Sequence, residues 1–338
     1  MAGMFLTYLT KSLFWDSLIV LFILFGCALV VYGFRKKHRS QWVRIPLIVF
    51  GFIFTITIIY GSFIEPRMIT ITEAQITLPT VSDFTIVTIS DLHVGPYKGK
   101  KYLGKVVEKI NALEPDIVLL AGDYVYSGGD PVDDLTPLRN LRARYGVFGV
   151  LGNHEYGCMS GGGGKSHVYG TFDASRKVLR ALERSGVKML NNESVEIDLE
   201  EGGLPPEAPR SRAQGGPLFV AGIDDQCSGQ SDLLAALPEI TQKSSIILLA
   251  HDPSLILDTQ TTYAHLIVAG HTHGGQIRLP FIGPVPSLPT QLPRSYDQGL
   301  FQIDQNTVLA ITRGVGESGP RARLFAPPEI LVLRVNNQ

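Results

Sequence analysis

The 338-residue chain has little cysteine and almost no net charge. Its three cysteines, Cys27, Cys158 and Cys227, make no disulfide framework, and Cys27 lies inside an apolar stretch. Cys158 follows Asn153-His154 closely but reads as incidental rather than as a reactive thiol. A net charge of −1 provides no global field that would draw nucleic acid to the chain. Internal repeats, heptads and a dinucleotide fingerprint are also missing. Gly161 to Gly164, followed by Lys165-Ser166, is no phosphate loop, because no strand leads into it and no helix follows at once. Charged residues make up 18% and hydrophobic ones 45%, and with a mean hydropathy of +0.15 that balance points to membrane segments.

Those segments lie at the start. Leu13 to Phe34 is almost continuously apolar, and its 22 residues suffice to span a hydrocarbon core. Val43 to Ile64 is a second run of similar length, with Tyr32, Trp42 and Tyr60 near the edges as interfacial aromatics. The first run is too long for a cleaved signal peptide, and a second follows it directly. Between them stand Arg35, Lys36, Lys37, Arg39 and Arg44, against only Lys11 before and Arg67 just after. Positive charge stays cytoplasmic, so both ends of this hairpin are expected to face outward, with the rest of the chain extracytoplasmic. Three parts follow: a two-span anchor over 1–64, a linker with a leading strand over 65–83, and one large domain over 84–338.

Within that domain, five short apolar runs end in polar residues. Phe84 to Ser90 leads into Asp91-Leu92-His93, and Asp116 to Leu120 into Gly122-Asp123. Gly146 to Leu151 leads into Gly152-Asn153-His154-Glu155, Ser245 to Leu249 into His251, and Leu266 to Val268 into Gly270-His271-Thr272-His273. Such runs read as central strands covered on both faces, whose carboxyl ends carry functional loops in α/β sheets. Asp91 and His93 are two apart, so in extended chain they point to one side, and the same holds for His271 and His273. The glycines before Asp123, Asn153 and His271 let the backbone turn sharply. Carboxylate, amide oxygen and imidazole without thiolate suit Mn, Fe or Zn, with Mn favoured.

In this order the five motifs resemble those of the calcineurin-like metallophosphoesterases, over about residues 80–335. The resemblance implies an α/β fold, a four-layer αββα sandwich behind two transmembrane helices, and two divalent metal ions. It implies that Asp91, His93, Asp123 and His273 hold the first ion, and that Asp123 bridges to a second held by Asn153, His251 and His271. It places His154 toward the substrate as the proton donor to the leaving oxygen, with Glu155 and Asp252 as orienting groups. Tyr126 stands where many members carry another Asp. Gly274 to Pro280, and Gly316-Glu317-Ser318-Gly319 through Ile330, are similar to a branch of membrane-anchored bacterial phosphoesterases. That branch includes UDP-diacylglucosamine pyrophosphohydrolases of lipid A synthesis, so a lipid-linked phosphate is the expected substrate. Arg278 is a candidate phosphate contact, a structural salt bridge being its other reading.

Three rival readings carry less. A non-catalytic binding module on the same fold would lack ligands, and none is lacking here. A transporter needs more than two spans, and a nuclease needs a basic groove that the scattered Lys and Arg do not form. Elsewhere, apolar spacing predicts helices over Tyr102–Leu113, Leu135–Arg144 and Thr171–Ser185. Strands are expected at Ile69–Thr72, Glu193–Leu199, Pro217–Gly222, Val308–Thr312 and Ile330–Val335. Gly161–Gly164 is expected to be a flexible loop beside His154, and Glu201–Gly216 a disordered excursion.

Overall fold

A computed structural model describes residues 2–36, 39–80, 82–126, 132–161, 165–168, 173–199, 216–238, 244–258, 261 and 263–337. Two helices come first, α1 (Ala2–Arg35) and α2 (Gln41–Ile59), the latter running on through a π-turn at Tyr60–Ile64. Their stretches Ser12–Arg35 and Gln41–Arg67 are long and apolar enough to cross a bilayer. They pack against each other through small residues: a Cβ at Gly51 would meet the Gly26 carbonyl at 2.7 Å, and one at Gly33 would meet Ile48. The excursion expected over 201–216 lies almost wholly outside the described residues, as do residues 162–164 of the glycine run.

In chain order the domain places β1 (Thr70–Leu78), β2 (Phe84–Ile89), α3 (Lys100–Asn111), β3 (Ile117–Ala121) and β4 (Gly146–Val150). Next come β5 (Cys158–Gly161), β6 (Lys165–Val168), α4 (Ser175–Arg184) and β7 (Lys188–Met189). Then follow β8 (Glu193–Ile197), β9 (Leu218–Gly222), α5 (Leu233–Ala236), β10 (Ser245–Leu249) and β11 (Leu266–Ala269). The chain closes with β12 (Arg278–Leu279), β13 (Gly283–Pro284), β14 (Gly299–Gln302), β15 (Val308–Ile311) and β16 (Glu329–Asn337). Two six-stranded sheets result, β1-β16-β2-β3-β4-β7 and β14-β15-β11-β10-β9-β8. Strands β2, β3, β4 and β7 run parallel in the first, and β9, β10, β11 and β15 in the second.

Alternation along buried strands explains the layers. In β2, Val87 and Ile89 join a core with Leu103, Val106 and Ile110 of α3, whereas Phe84 and Ile86 join one shared with Val220, Ile247 and Val268 of the other sheet. In β3, Val118 and Leu120 face the helices while Ile117, Leu119 and Ala121 face the opposing sheet. Period-two alternation between two apolar environments gives unbroken hydrophobic runs, as expected. The outer face of the second sheet carries Ile246, Leu248 and Ile267 against Leu233, Ala236 and Leu255. Helix, sheet, sheet and an outer layer of short helical turns thus stack in the expected four-layer order.

Several element boundaries differ from expectation. The helix expected over Leu135–Arg144 is a 3-10 segment at Val132–Asn140, because Pro137 in its middle has no N–H to continue an α-helix. Helix α3 begins two residues before Tyr102 and ends at Asn111, ahead of Pro115. The glycine-rich segment expected to be a loose loop is flanked by a two-stranded ribbon, β5 antiparallel to β6.

Anchor and domain are joined by specific contacts. The Arg323 N–H donates to the Gly61 carbonyl at 2.8 Å, and Ala326 N–H to Glu65 Oε1 at 2.7 Å. Lys98 donates to the Pro66 carbonyl, lies 3.6 Å from Glu317, and sits over the Tyr102 ring. Burial pulls the Lys98 amine down to about 8, against the pull of Glu317. The Arg321 guanidinium stands 3.7 Å from Asp16 of α1 and over the Phe63 ring of the second helix.

Candidate metal centre

All seven predicted ligands converge at the carboxyl ends of β2, β3, β4, β10 and β11. Both carboxylates split their oxygens between the protein and the cavity. Asp91 Oδ2 accepts from Ser90 Oγ and from the His271 N–H at 3.1 Å. Its Oδ1 is buried without a hydrogen-bond partner, 3.5 Å from His273 Nε2 and 4.0 Å from His93 Nε2. Asp123 Oδ1 accepts the His154 N–H at 3.0 Å. Its Oδ2 lies 3.2 Å from His251 Nε2, 3.5 Å from His93 Nε2 and 3.9 Å from His154 Nε2.

Three of the imidazoles are aimed by their other nitrogens. His251 Nδ1 meets the Ala121 carbonyl at 2.7 Å, so Nε2 turns inward, 3.1 Å from Asn153 Oδ1. His271 is held the other way, Nε2 to the Pro289 carbonyl at 2.7 Å, leaving Nδ1 2.9 Å from His251 Nε2. His154 Nδ1 meets the Tyr126 carbonyl at 2.7 Å, which points Nε2 at the cleft. An N–H pinned by a carbonyl fixes the tautomer that leaves the opposite lone pair for a metal.

One close approach tests whether ions fit. His93 Nε2 and His273 Nε2 are only 3.2 Å apart, and burial pulls both imidazoles well below their usual basicity. Neutral imidazoles are the form that binds metal. Donor atoms each about 2.1 Å from one ion stand about 3–3.5 Å apart, which is the separation found here. Donor atoms of Asp91, His93 and His273 form one compact group and those of Asp123, His251 and His271 another, each within 4.8 Å. The residues fit a pair of divalent ions sharing Asp123.

Backbone conformation at the ligands departs from the extended geometry expected. Asp91, His93, Asp123, His271 and His273 have φ of 51°, 42°, 56°, 69° and 54°, in the left-handed region. Side chains therefore reach the cavity from tight turns and not from extended strand ends. Such conformations cost about 1–3 kcal/mol each and persist where surrounding contacts overdetermine them. The preceding glycines serve space as well as turning, Gly122 itself lying in the left-handed region. At Gly122 (φ +83°) a Cβ would meet His251 Nδ1 at 2.7 Å, and at Gly270 it would strike Ser90 and Asp91.

Burial pushes the Asp123 carboxyl up, but the imidazoles of His251, His154 and His93 outweigh it and hold it well below the usual carboxylate range. Glu155 has the orienting position expected of it. It is fully buried and accepts N–H groups from Gly152, Asp123, Tyr124 and Val125 at 2.9, 3.1, 2.8 and 3.1 Å. Burial and the Asp123 charge push its carboxyl up, to about 8, while four donors needing lone pairs favour the ionised form. Asp252 caps the turn after His251, accepting the Ser254 N–H. Arg278 pairs with Asp297 and does not line the cleft.

Other contributors were invisible in the sequence. Cys158 and Cys227 form a disulfide, their Cα atoms 6.0 Å apart, which corrects the reading of three unpaired cysteines. Sixty-nine residues separate them, and only the packing of β9 beside the Asn153 loop brings them together. The bond pins that loop, since Asn153 Nδ2 donates to the Cys158 carbonyl at 2.6 Å. Arg323 is fully buried and donates to the carbonyls of Gly316, His273, Ala326, Arg313 and Gly314. No motif signals a residue whose partners are all backbone. The cleft itself, about 200 Å³, is lined by Asp123, His154, His271, His273, Pro289 and Ser318 among others.

Residues 84–275, more than half of the chain, match the family model of the calcineurin-like phosphoesterases. The chain belongs to this family, whose members use a dinuclear divalent metal site, and it is a phosphoester hydrolase. It is 30% identical over 287 residues to the uncharacterized metallophosphoesterase YkuE of Bacillus subtilis, covering 82% of this chain and 89% of that one. It is 26% identical to the UDP-2,3-diacylglucosamine pyrophosphatase LpxG of Chlamydia muridarum, covering 82% and 93%. It is also 26% identical to a zebrafish transmembrane protein with a metallophosphoesterase domain, covering 88% and 62%.

Proposed function

We infer that this membrane protein hydrolyses a phosphoester or pyrophosphate bond in a lipid-linked substrate. The observation that carries the reading is where the cleft lies. Ser318 and Pro320 line it, and a Cβ on Gly319 between them would stand 4.0 Å from Trp15 of α1. A hydrolase whose cleft borders its own anchor meets membrane substrates at high effective concentration.

Asp91, His93, Asp123 and His273 would hold one ion, and Asp123, Asn153, His251 and His271 the other, manganese being favoured. An ion pair held there would supply Lewis acidity toward phosphate oxygens and toward a water, near neutral pH. His154 serves as the acid. With Nδ1–H donated to the Tyr126 carbonyl, its protonated ring presents Nε2–H to the departing oxygen. His154→Ala should keep its metal content and lose roughly 100-fold or more in turnover, the usual effect of a missing general acid. Unchanged turnover would remove His154 from the chemistry.

The reading as a whole is tested with the purified full-length protein. Chelation should abolish activity and manganese restore it, across a panel of soluble phosphodiesters, phosphomonoesters and nucleoside-diphosphate lipids. Activity that survives thorough chelation would defeat the two-ion reading. A lipid-linked substrate should be turned over fastest.

The domain is read as extracytoplasmic. The basic stretch 35–44 supports this, and so does the Cys158–Cys227 disulfide, a bond that persists in oxidising compartments. A second reading, a UDP-diacylglucosamine pyrophosphohydrolase working on the cytoplasmic side, is favoured by the similarity to the Chlamydia protein. Alkaline phosphatase fused after Gln338 should be active if the domain faces outward. An inactive fusion, with a fluorescent cytoplasmic reporter working at the same position, would reverse the orientation and favour the second reading.

A further inference from the structure

The turn between β12 and β13 exposes an unusual amount of apolar surface. Phe281 is fully exposed, Ile282 is 71% exposed, and Leu279 and Val285 flank them. Phe325, 55% exposed, faces the same groove, which is lined by Arg278 to Gly283 and Phe325. Both aromatics sit in the left-handed region, with φ of 66° at Phe281 and 54° at Phe325. For a bulky side chain that conformation is a genuine outlier. Isolated exposed apolar residues are ordinary, but five clustered on one hairpin and its neighbour mark an interaction surface.

The position of this surface identifies its occupant. Ile277 and Leu324 form a bridge, with Arg278 N–H donating to the Leu324 carbonyl at 2.8 Å. Leu324 in turn approaches Gly61, and its neighbour Arg323 bonds the Gly61 carbonyl. On the other side of Phe325, Ala326 bonds Glu65. Phe325 is therefore fixed at the end of the second apolar stretch, Gln41–Arg67, where Phe63 and Ile64 are also exposed. At the base of the hairpin the exposed Arg294 donates to the Val285 carbonyl at 3.2 Å, while Arg278 at its start is paired with Asp297. An apolar tip with an arginine at its base, continuous with a span, is the pattern of a segment seated in a bilayer interface.

We propose that the Phe281–Ile282 hairpin, together with Phe325, is embedded in the acyl layer of the membrane and forms one wall of a lateral path from the bilayer to the metal cleft. The cleft lies directly downstream, since Pro286, Ser287, Leu288 and Pro289 follow the hairpin and line it. A lipid held with its chains along the hairpin would present its phosphate toward the ligands without leaving the membrane. The inference rests on the membrane placement of the chain and not on the identity of the substrate.

The test uses the full-length protein in vesicles of phosphatidylcholine and phosphatidylglycerol. An environment-sensitive fluorophore is attached at Ile282→Cys in a Cys27→Ser background. A reference label goes at Tyr263→Cys, exposed just before β11 on the sheet edge opposite the site. Embedding about 5–10 Å below the headgroups should shift emission at 282 to the blue. It should also make that label quenchable by phosphatidylcholine carrying a doxyl group on its acyl chain, with neither effect at 263. Water-like emission at 282 overturns the proposal, as does a blue shift without doxyl quenching, which would mean that protein covers the hairpin. Phe281→Asp with Ile282→Asp should leave turnover of a soluble phosphodiester unchanged and cut turnover of a vesicle-borne phospholipid several-fold. Equal loss on both substrates overturns it too. Failure of the wild-type protein on every lipid substrate would count against the proposed substrate class, while the quenching result still decides the placement of the hairpin.

Discussion

Asp123→Ala is expected to yield a folded protein that retains neither ion and has no measurable phosphohydrolase activity. Its Oδ2 is the one atom placed between both donor groups, within 3.5 Å of His93 Nε2 and of His251 Nε2. Losing an outer partner of a ligand typically costs about 10–100-fold in metal affinity, so loss of a shared ligand should exceed that for both ions. It also removes the charge that raises the His251 basicity despite burial. Metal analysis of the purified variant, beside its thermal melt, checks the expectation. Two ions still bound would refute the bridging role.

Glu155→Ala should produce the largest loss of stability. Four backbone N–H groups at the Asp123 and Asn153 turns end on this one carboxylate, in a position closed to water. Each of the four buried donors left unpaired costs about 1–3 kcal/mol, so a loss of at least about 4 kcal/mol is expected. Thermal unfolding of the full-length protein in detergent measures it. Because the same turns hold Asp123, Asn153 and His154, metal affinity should fall in parallel. A variant melting like the wild type would mean that the turns hold their own shape.

The ligand set was legible because each ligand follows a run of buried strand residues, and both the apolar runs and the polar ends are local features. The layer order followed from the same runs, since Val87 and Ile86 had to bury against different partners. The local conformation of the ligands was not legible. Nothing in Asp91-Leu92-His93 announces two left-handed residues, because their backbone partners lie far along the chain: Asp91 N–H donates to the Gly122 carbonyl, His93 N–H to the Asp123 carbonyl, and Gly316 N–H to the Asp91 carbonyl. The disulfide was hidden for the same reason, one half opening β5 and the other lying on the turn after β9. Pro137 did carry a local signal, and it outweighed the apolar spacing around it.

The sheet order β1-β16-β2 has a consequence for how the molecule is assembled. Among the described residues, strand β1 pairs in its sheet with β16 alone. Thr70 and Pro328, which share a hydrogen bond, are 258 residues apart in sequence. Strand β16, made long after β1 and β2, is thus wedged between them, and contacts so distant in sequence form slowly. A helical pair that enters the membrane during synthesis would do so before β16 emerges, leaving β1 without its partner strand until then. Closing the sheet brings Arg323 and Ala326 onto Gly61 and Glu65, so completing the fold and seating the domain on its anchor are a single late event.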